Sequence, residues 1–356
     1  MKVTYFIGST TGGGAEHVIC ELATYMSEHG HQSEILTVTE TDRSYYVGDK
    51  VIRSTIDTRF RIPFAKVRLG VKMVRLFLHI MKNDTDLYVV FLPETIKALM
   101  LFKKFIKVPV VVSERSNPES YSLKTQERMI KEFRKAEGAV FQTESAKAFY
   151  MNHGQLTGKT ITIPNAITGD LPVVYEGQRL KEIVSVGRFK EEKNFPLLIK
   201  AFAQVRDKFP DYKLVIYGEG ELKSSYIKLC NELNIMDSVI FPGFVDNIPE
   251  KIKKASVFVS SSDYEGMSNA LIEALAMGIP CVATDCGGGS ARFLIDQNVN
   301  GILSPVGDVT QLATSIIRVL EDENFARKLG LEAQKAREYL SKNSVYSKWK
   351  NYLEQV

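Results

Sequence analysis

Long apolar runs are absent from this chain of 356 residues. Nowhere does it approach the ~18 consecutive apolar residues that a membrane-spanning helix needs. The opening "MKVTYFIGST" passes from a short apolar run straight into a glycine turn, too brief for a secretory signal. Cysteine is scarce: Cys20, Cys230, Cys281 and Cys286 form no CxxC pair. That argues against a zinc ribbon or a disulfide scaffold and suits small core residues in a reducing compartment. No low-complexity tract, short-period repeat, His-rich cluster or paired-acid metal motif occurs. The expected location is cytoplasmic, peripheral on the inner face of the membrane.

What is present is an ordinary globular composition, 44% hydrophobic and 25% charged, with a net charge of +4. The charge is unevenly spread. Residues 51–135 hold 18 Lys/Arg against 8 Asp/Glu, and the rest of the chain is acidic. A basic region of this kind suits nucleic acid, anionic lipid or a phosphorylated substrate, but no nucleic-acid motif accompanies it. Within it, 64–81 has helical periodicity. Val67, Val71, Val74, Leu78 and Met81 form one apolar face, expected to meet the core. Leu69, Met73, Leu76 and Ile80 form a second stripe flanked by Lys66 and Lys72, the pattern of an interfacial helix or of a second buried face. The expected partner of basic region 59–107 is an anionic membrane surface.

Short β-branched runs alternate with amphipathic stretches along the chain. "VTYFIG", "SEILTVT", "DLYVVFL", "VPVVVSE", "GAVFQTES" and "KTITIPNAI" read as strands of a first half. The pattern restarts after 168–181, a turn-rich stretch without helical period, with "EIVSVGRF", "YKLVIYGEG", "SVIFPGFV", "ASVFVSSSD" and "IPCVATD". Near-continuous apolar strands separated by helices predict parallel, doubly wound sheets. Ligands of such sheets bind at the carboxyl ends of the strands, which is where the unusual residues cluster.

Three constellations stand there. "STTGGGAEHV" (9–18) places glycines between a strand and a helix, fit for a ligand's close approach or simply for a tight turn. It is neither GxGxxG nor a GxxxxGK[ST] phosphate loop. "VGRFKEEKN" puts Arg188 and Lys193 near one strand end, as a diphosphate clamp or as a solvated turn. In "SDYEGMSNALIEALAMGIP", Glu265 precedes a helix entry capped by Ser268 or Asn269. Glu273 lies one turn inside, among Ala270, Leu271, Ala274, Leu275 and Met277. An acid in such company needs a protein partner or a ligand; the plainer alternative is two solubilising glutamates. Asp84-Thr85-Asp86 spells DxD but precedes a strand, so it reads as a helix-to-strand turn.

Taken in order, these motifs resemble the retaining glycosyltransferases of family 4. "GGGAEHVICELATYMSEHGHQSEILT", "IPNAI", "VGRFKEEKN", "LVIYGEGELK", "IFPGFVDN", "SDYEGMSNALIEALAMGIPCVATD" and "GILSPVGD" carry the likeness nearly end to end, and Glu265 and Glu273 fit its E-x7-E pattern. "SERSNP" and "TDCGGG" are similar to a branch that builds bacterial capsule, exopolysaccharide or lipopolysaccharide.

The resemblance implies the GT-B fold: two Rossmann-like domains, 1–167 for the acceptor and 182–340 for the nucleotide sugar, facing across a cleft, with 168–181 as linker and 341–356 a helix returning to the first. It implies transfer of a hexose or N-acetylhexosamine from a UDP-sugar to a lipid-linked saccharide, forming an α linkage, with no cofactor and no active-site metal. Arg188 and Lys193 would hold the donor diphosphate, assisted by amides at Asn269 and Ala270. Glu265 would bind the donor sugar and Glu273 the ribose. Gly218 and Phe244 would border the base, and Gly266, Met267 and Ser268 would line the entry. Gly13 and Gly14 would let backbone approach the diphosphate. Many relatives carry a His where this chain has Glu114 and Arg115, so Glu114 becomes the catalytic candidate there. Two other classes remain. A nicotinamide-linked dehydrogenase would want GxGxxG with an acid about 20 residues on, and a non-catalytic sugar-binding protein would be expected to lack one of the charged residues.

Overall fold

The computed structural model describes residues 1–11, 13–41, 44–58, 63–82, 84–167 and 169–356. Gly12, within the glycine loop, and 59–62, within the basic region, lie outside the described residues. The chain forms two compact units, Met1–Ala166 with Asn343–Val356, and Ile167–Lys342.

Unit 1 is built on β1 (Lys2–Ile7), β2 (Gln32–Thr37), β3 (Ile52–Thr55), β4 (Leu87–Phe91), β5 (Val110–Ser113), β6 (Gly138–Phe141) and β7 (Lys159–Thr162). Their order in the sheet is β3-β2-β1-β4-β5-β6-β7, and every pair is parallel. Burial on both faces explains the unbroken apolar strands: all five residues of β4 are buried. β3 was not anticipated. It is a four-residue edge strand of sequence IRST, half exposed, with no apolar run to mark it. The strand expected over 159–167 ends at Thr162.

Helix α1 (Gly14–Glu28) follows β1, and helix α2 (Ala65–Lys82) crosses between β3 and β4. The faces of α2 reverse the expectation. Leu76 and Ile80 are buried in the core of unit 1, and Met73 packs against it. Val67, Val74, Leu78 and Met81, the face expected inside, are exposed. Polar contacts set this rotation. Lys72 pairs with Asp57 at 2.9 Å and donates to the Val38 carbonyl at 2.7 Å. Arg75 donates to the carbonyls of Asp57 and Thr55. Lys72 therefore faces protein, not solvent, and of the second stripe only Leu69 is exposed.

The helix Lys342–Leu353 groups with unit 1. Trp349 is fully buried 5.8 Å from the Phe91 ring, Tyr346 donates to Glu21 at 3.0 Å, and Tyr352 donates to the Lys159 carbonyl at 2.6 Å.

Unit 2 carries β8 (Leu180–Val186), β9 (Lys213–Tyr217), β10 (Val239–Gly243), β11 (Ala255–Ser260), β12 (Cys281–Thr284) and β13 (Ile302–Ser304), in the order β10-β9-β8-β11-β12-β13, again all parallel. The stretch read as a linker belongs to this unit, and its last two residues begin β8. The chain winds outward from β8 to β10, then returns to β11 on the other side of β8. The topological switch point of this sheet therefore lies between β8 and β11.

Candidate active site

The loops after β8 and β11 meet at that switch point, and glycines let the end of β9 approach the first of them. Gly218, at the end of β9, has φ of +136°, and a Cβ there would stand 1.9 Å from the Gly187 carbonyl oxygen. The stem of Lys193 lies across Gly187, where a Cβ would meet its Cε at 3.2 Å.

A turn at Glu191–Lys193 leads to Asn194, whose left-handed backbone (φ 41°) caps the helix Phe195–Lys208. Its side chain works at both ends: Oδ1 accepts from the Leu197 amide, and Nδ2 donates to Asp263 at 2.7 Å. Ser261 donates to the Lys193 carbonyl and the Asp263 amide to the Glu192 carbonyl, each at 2.9 Å. These bonds lace the two loops together. Lys193 Nζ is ion-paired to Glu265 Oε1, which also accepts from Ser262 at 2.9 Å. Arg188 is exposed on the same loop and makes no ion pair among the described residues.

Ser268 caps the helix Asn269–Ala276. Met267 and Ser268 are buried, while Gly266, Asn269 and Ala270 are half-buried. Glu273 is half-buried too, less enclosed than its neighbours Ile272 and Ala274 suggest. Phe244, just past β10, is 75% exposed, and the Gly218 amide donates to Gly243 next to it at 3.0 Å. Unit 2 thus gathers two cations, two carboxylates, a helix entry and a bare aromatic ring on the ends of four adjacent strands. Asn194, Ser261, Ser262 and Asp263 escaped the sequence reading. The Asn-Phe-Pro helix start is the one local signal among them. Cys286 is buried, and burial pushes its thiol up to about 12, with the nearby Glu265 carboxylate acting in the same direction.

Gly13, Gly14 and Glu114 belong to unit 1. Gly13 precedes α1 as its N-cap and Gly14 begins it. Glu114, the catalytic candidate, is enclosed by protein donors. It is 1% exposed and accepts from Tyr150 (2.6 Å), Tyr121 (2.8 Å) and the amides of Arg115 and Ser116. Burial raises its pKa despite these donors. Three of these donors meet Oε1 and organise the loop after β5, while Tyr150 meets Oε2. Arg115 stacks 4.9 Å from the Phe91 ring and donates to Asn165, which also accepts from Gln142 at 2.7 Å. Asp84 and Asp86 both bind Lys2 at the amino end of β1, away from the carboxyl ends of the strands.

The profile described as "Glycosyltransferase Family 4" matches residues 12–170, and that described as "Glycosyl transferases group 1" matches 175–336. An alpha-1,4-N-acetyl-D-galactosaminyltransferase of Campylobacter jejuni, named for a PP-undecaprenol saccharide, is 24% identical over 100% of this chain and 99% of its own length. A second enzyme of that organism, a diphospho-undecaprenol 4-alpha-N-acetylgalactosaminyltransferase, is 38% identical over 41% of this chain and 39% of its own. The crystal structure of Anabaena HepE with UDP and glucose superposes with a TM-score of 0.82 over the full length of both chains at 17% identity, a likeness of fold. These matches leave no place for the dehydrogenase. With the strand-end site they span, they make the chain a glycosyltransferase of GT-B fold, its first half belonging to glycosyltransferase family 4 and its second to the group 1 glycosyl transferases.

Proposed function

We propose that this enzyme moves a hexose or N-acetylhexosamine from a UDP-sugar to a lipid-linked saccharide, with retention and an α linkage, in the assembly of a bacterial surface polysaccharide. The observation that carries this is the placing of Arg188 and Lys193 after β8 and of Glu265 after β11, the two strands that flank the switch point. Breaking the bond to the anomeric carbon builds negative charge on the leaving diphosphate. Fixed cations stabilise that charge more in the transition state than in the ground state. Arg188 and Lys193 supply them, with the Asn269 and Ala270 amides at the helix entry, so no metal is required. Glu265 takes sugar hydroxyls and Glu273 the ribose, while the exposed ring of Phe244 suits a planar base. The acceptor hydroxyl oxygen joins the anomeric carbon, and its proton passes to the leaving phosphate.

Two relatives named for undecaprenol-linked saccharides support the lipid-linked acceptor. The solvent face of α2 supports docking on an anionic bilayer. Val67, Val74, Leu78 and Met81 are exposed there beside exposed Lys66, Arg68 and Lys82. The test is a panel of UDP-sugars offered with an undecaprenyl-diphosphate saccharide, the product linkage being read by NMR coupling constants. An α-linked product formed in the presence of a chelator is expected. A β-linked product, or transfer only from donors without UDP, overturns the reading.

A further inference from the structure

The cation and the carboxylate assigned to the donor neutralise each other in this structure. Lys193 Nζ is ion-paired to Glu265 Oε1, and the two side chains are only 18% and 14% exposed. The contact is enforced from both sides. Ser262 fixes the same carboxylate oxygen, while the Ser261, Asp263 and Asn194 bonds hold the two backbones in register. Glu265 Oε2 accepts from no described protein group.

A diphosphate that engages Lys193 must take it from Glu265. The carboxylate then stands, half-enclosed, beside an anion, which is unfavourable. A sugar attached to the diphosphate changes this balance, because its hydroxyls donate to the carboxylate through Oε2. We infer that Glu265 is a nucleotide filter: through its ion pair with Lys193 it weakens binding of a nucleoside diphosphate that carries no sugar, and so speeds release of that product. The inference rests on the donor-site reading above. Once the sugar has moved to the acceptor, Glu265 loses its hydroxyl donors, the pair with Lys193 reforms, and the nucleotide is displaced.

Calorimetry with UDP on the full chain tests this. Glu265→Gln is expected to bind UDP about tenfold more tightly than wild type, since a like charge beside the phosphates is removed. Its turnover should become more sensitive to inhibition by added UDP. Ser262→Ala, which loosens the pair but keeps both charges, should shift UDP affinity the same way by a smaller factor, and it decides the matter if Glu265→Gln does not fold. Equal or weaker UDP binding by these variants, with Lys193→Ala still weakening UDP, overturns the filter and leaves the donor site standing. Failure of wild type and variants alike to bind UDP overturns both.

Discussion

Gly218 leaves the ends of β8 and β9 little freedom. With φ at +136° and the Gly187 carbonyl 1.9 Å from where a Cβ would stand, Gly218→Ala strains its own backbone and pushes β8 and β9 apart. Urea unfolding should show a loss of about 2 kcal/mol or more. Arg188→Ala should behave in the opposite way. The residue is exposed and unpaired among the described residues, so the melting temperature should hold. Turnover should fall by about 100-fold or more, as when one transition-state donor is removed. Glu114→Gln puts an amide NH2 among four donors, and stability should drop by about 2 kcal/mol while UDP affinity, which the proposed function assigns to unit 2, is kept. Arg188, Lys193, Glu265 and Glu273 were legible as candidates because each breaks a strand or helix pattern near the carboxyl end of a strand, where open α/β sheets bind their ligands. Their pairing was not, since Lys193 and Glu265 are 72 residues apart in sequence. The surroundings of Glu114 were equally hidden. Its unusual position shows in the sequence, but its partners do not: Tyr121 comes from the loop after β5 and Tyr150 from the helix Glu144–Gly154.

Helix α2 illustrates what an element reveals of itself. Its existence and ends followed from periodicity to within a residue, but its rotation did not, because two apolar stripes compete on one cylinder. Asp57 and the carbonyls of Val38 and Thr55 decide the matter by capturing Lys72 and Arg75. The stripes should therefore answer differently to substitution. Leu76→Ser, in the core, should cost about 3 kcal/mol. Val74→Ser with Leu78→Ser should leave the fold unchanged and release the enzyme from anionic vesicles in a sedimentation assay. Each Lys or Arg near such a surface contributes about 1 kcal/mol, screened by salt. Retention of the double variant on vesicles at low salt would show that α2 is not the docking element. Strand β3 is the converse case. Four half-exposed residues at a sheet edge carry no periodic signal and owe their conformation to pairing with β2.

At the scale of the molecule, the alternation of apolar strands and helices is enough to indicate two parallel, doubly wound sheets, because only burial on both faces calls for such strands. The sequence does not disclose the partners of the helix Lys342–Leu353. Its apolar residues could serve either unit, and Trp349, Tyr346 and Tyr352 find theirs only against Phe91, Glu21 and Lys159. That assignment bears on the order of assembly during synthesis. Domains fold as they leave the ribosome, the first made usually being the first finished. Here the opposite sequence is expected. Unit 2 is complete once residue 342 has emerged, but unit 1, begun first, must wait for Asn343–Val356 to close its core. On ribosomes stalled at residue 342, with the exit tunnel cleared by an added linker, unit 2 should resist protease while Met1–Ala166 is cleaved. On the proposed function, a nascent chain would thus finish the unit assigned to the nucleotide sugar before the unit assigned to the acceptor.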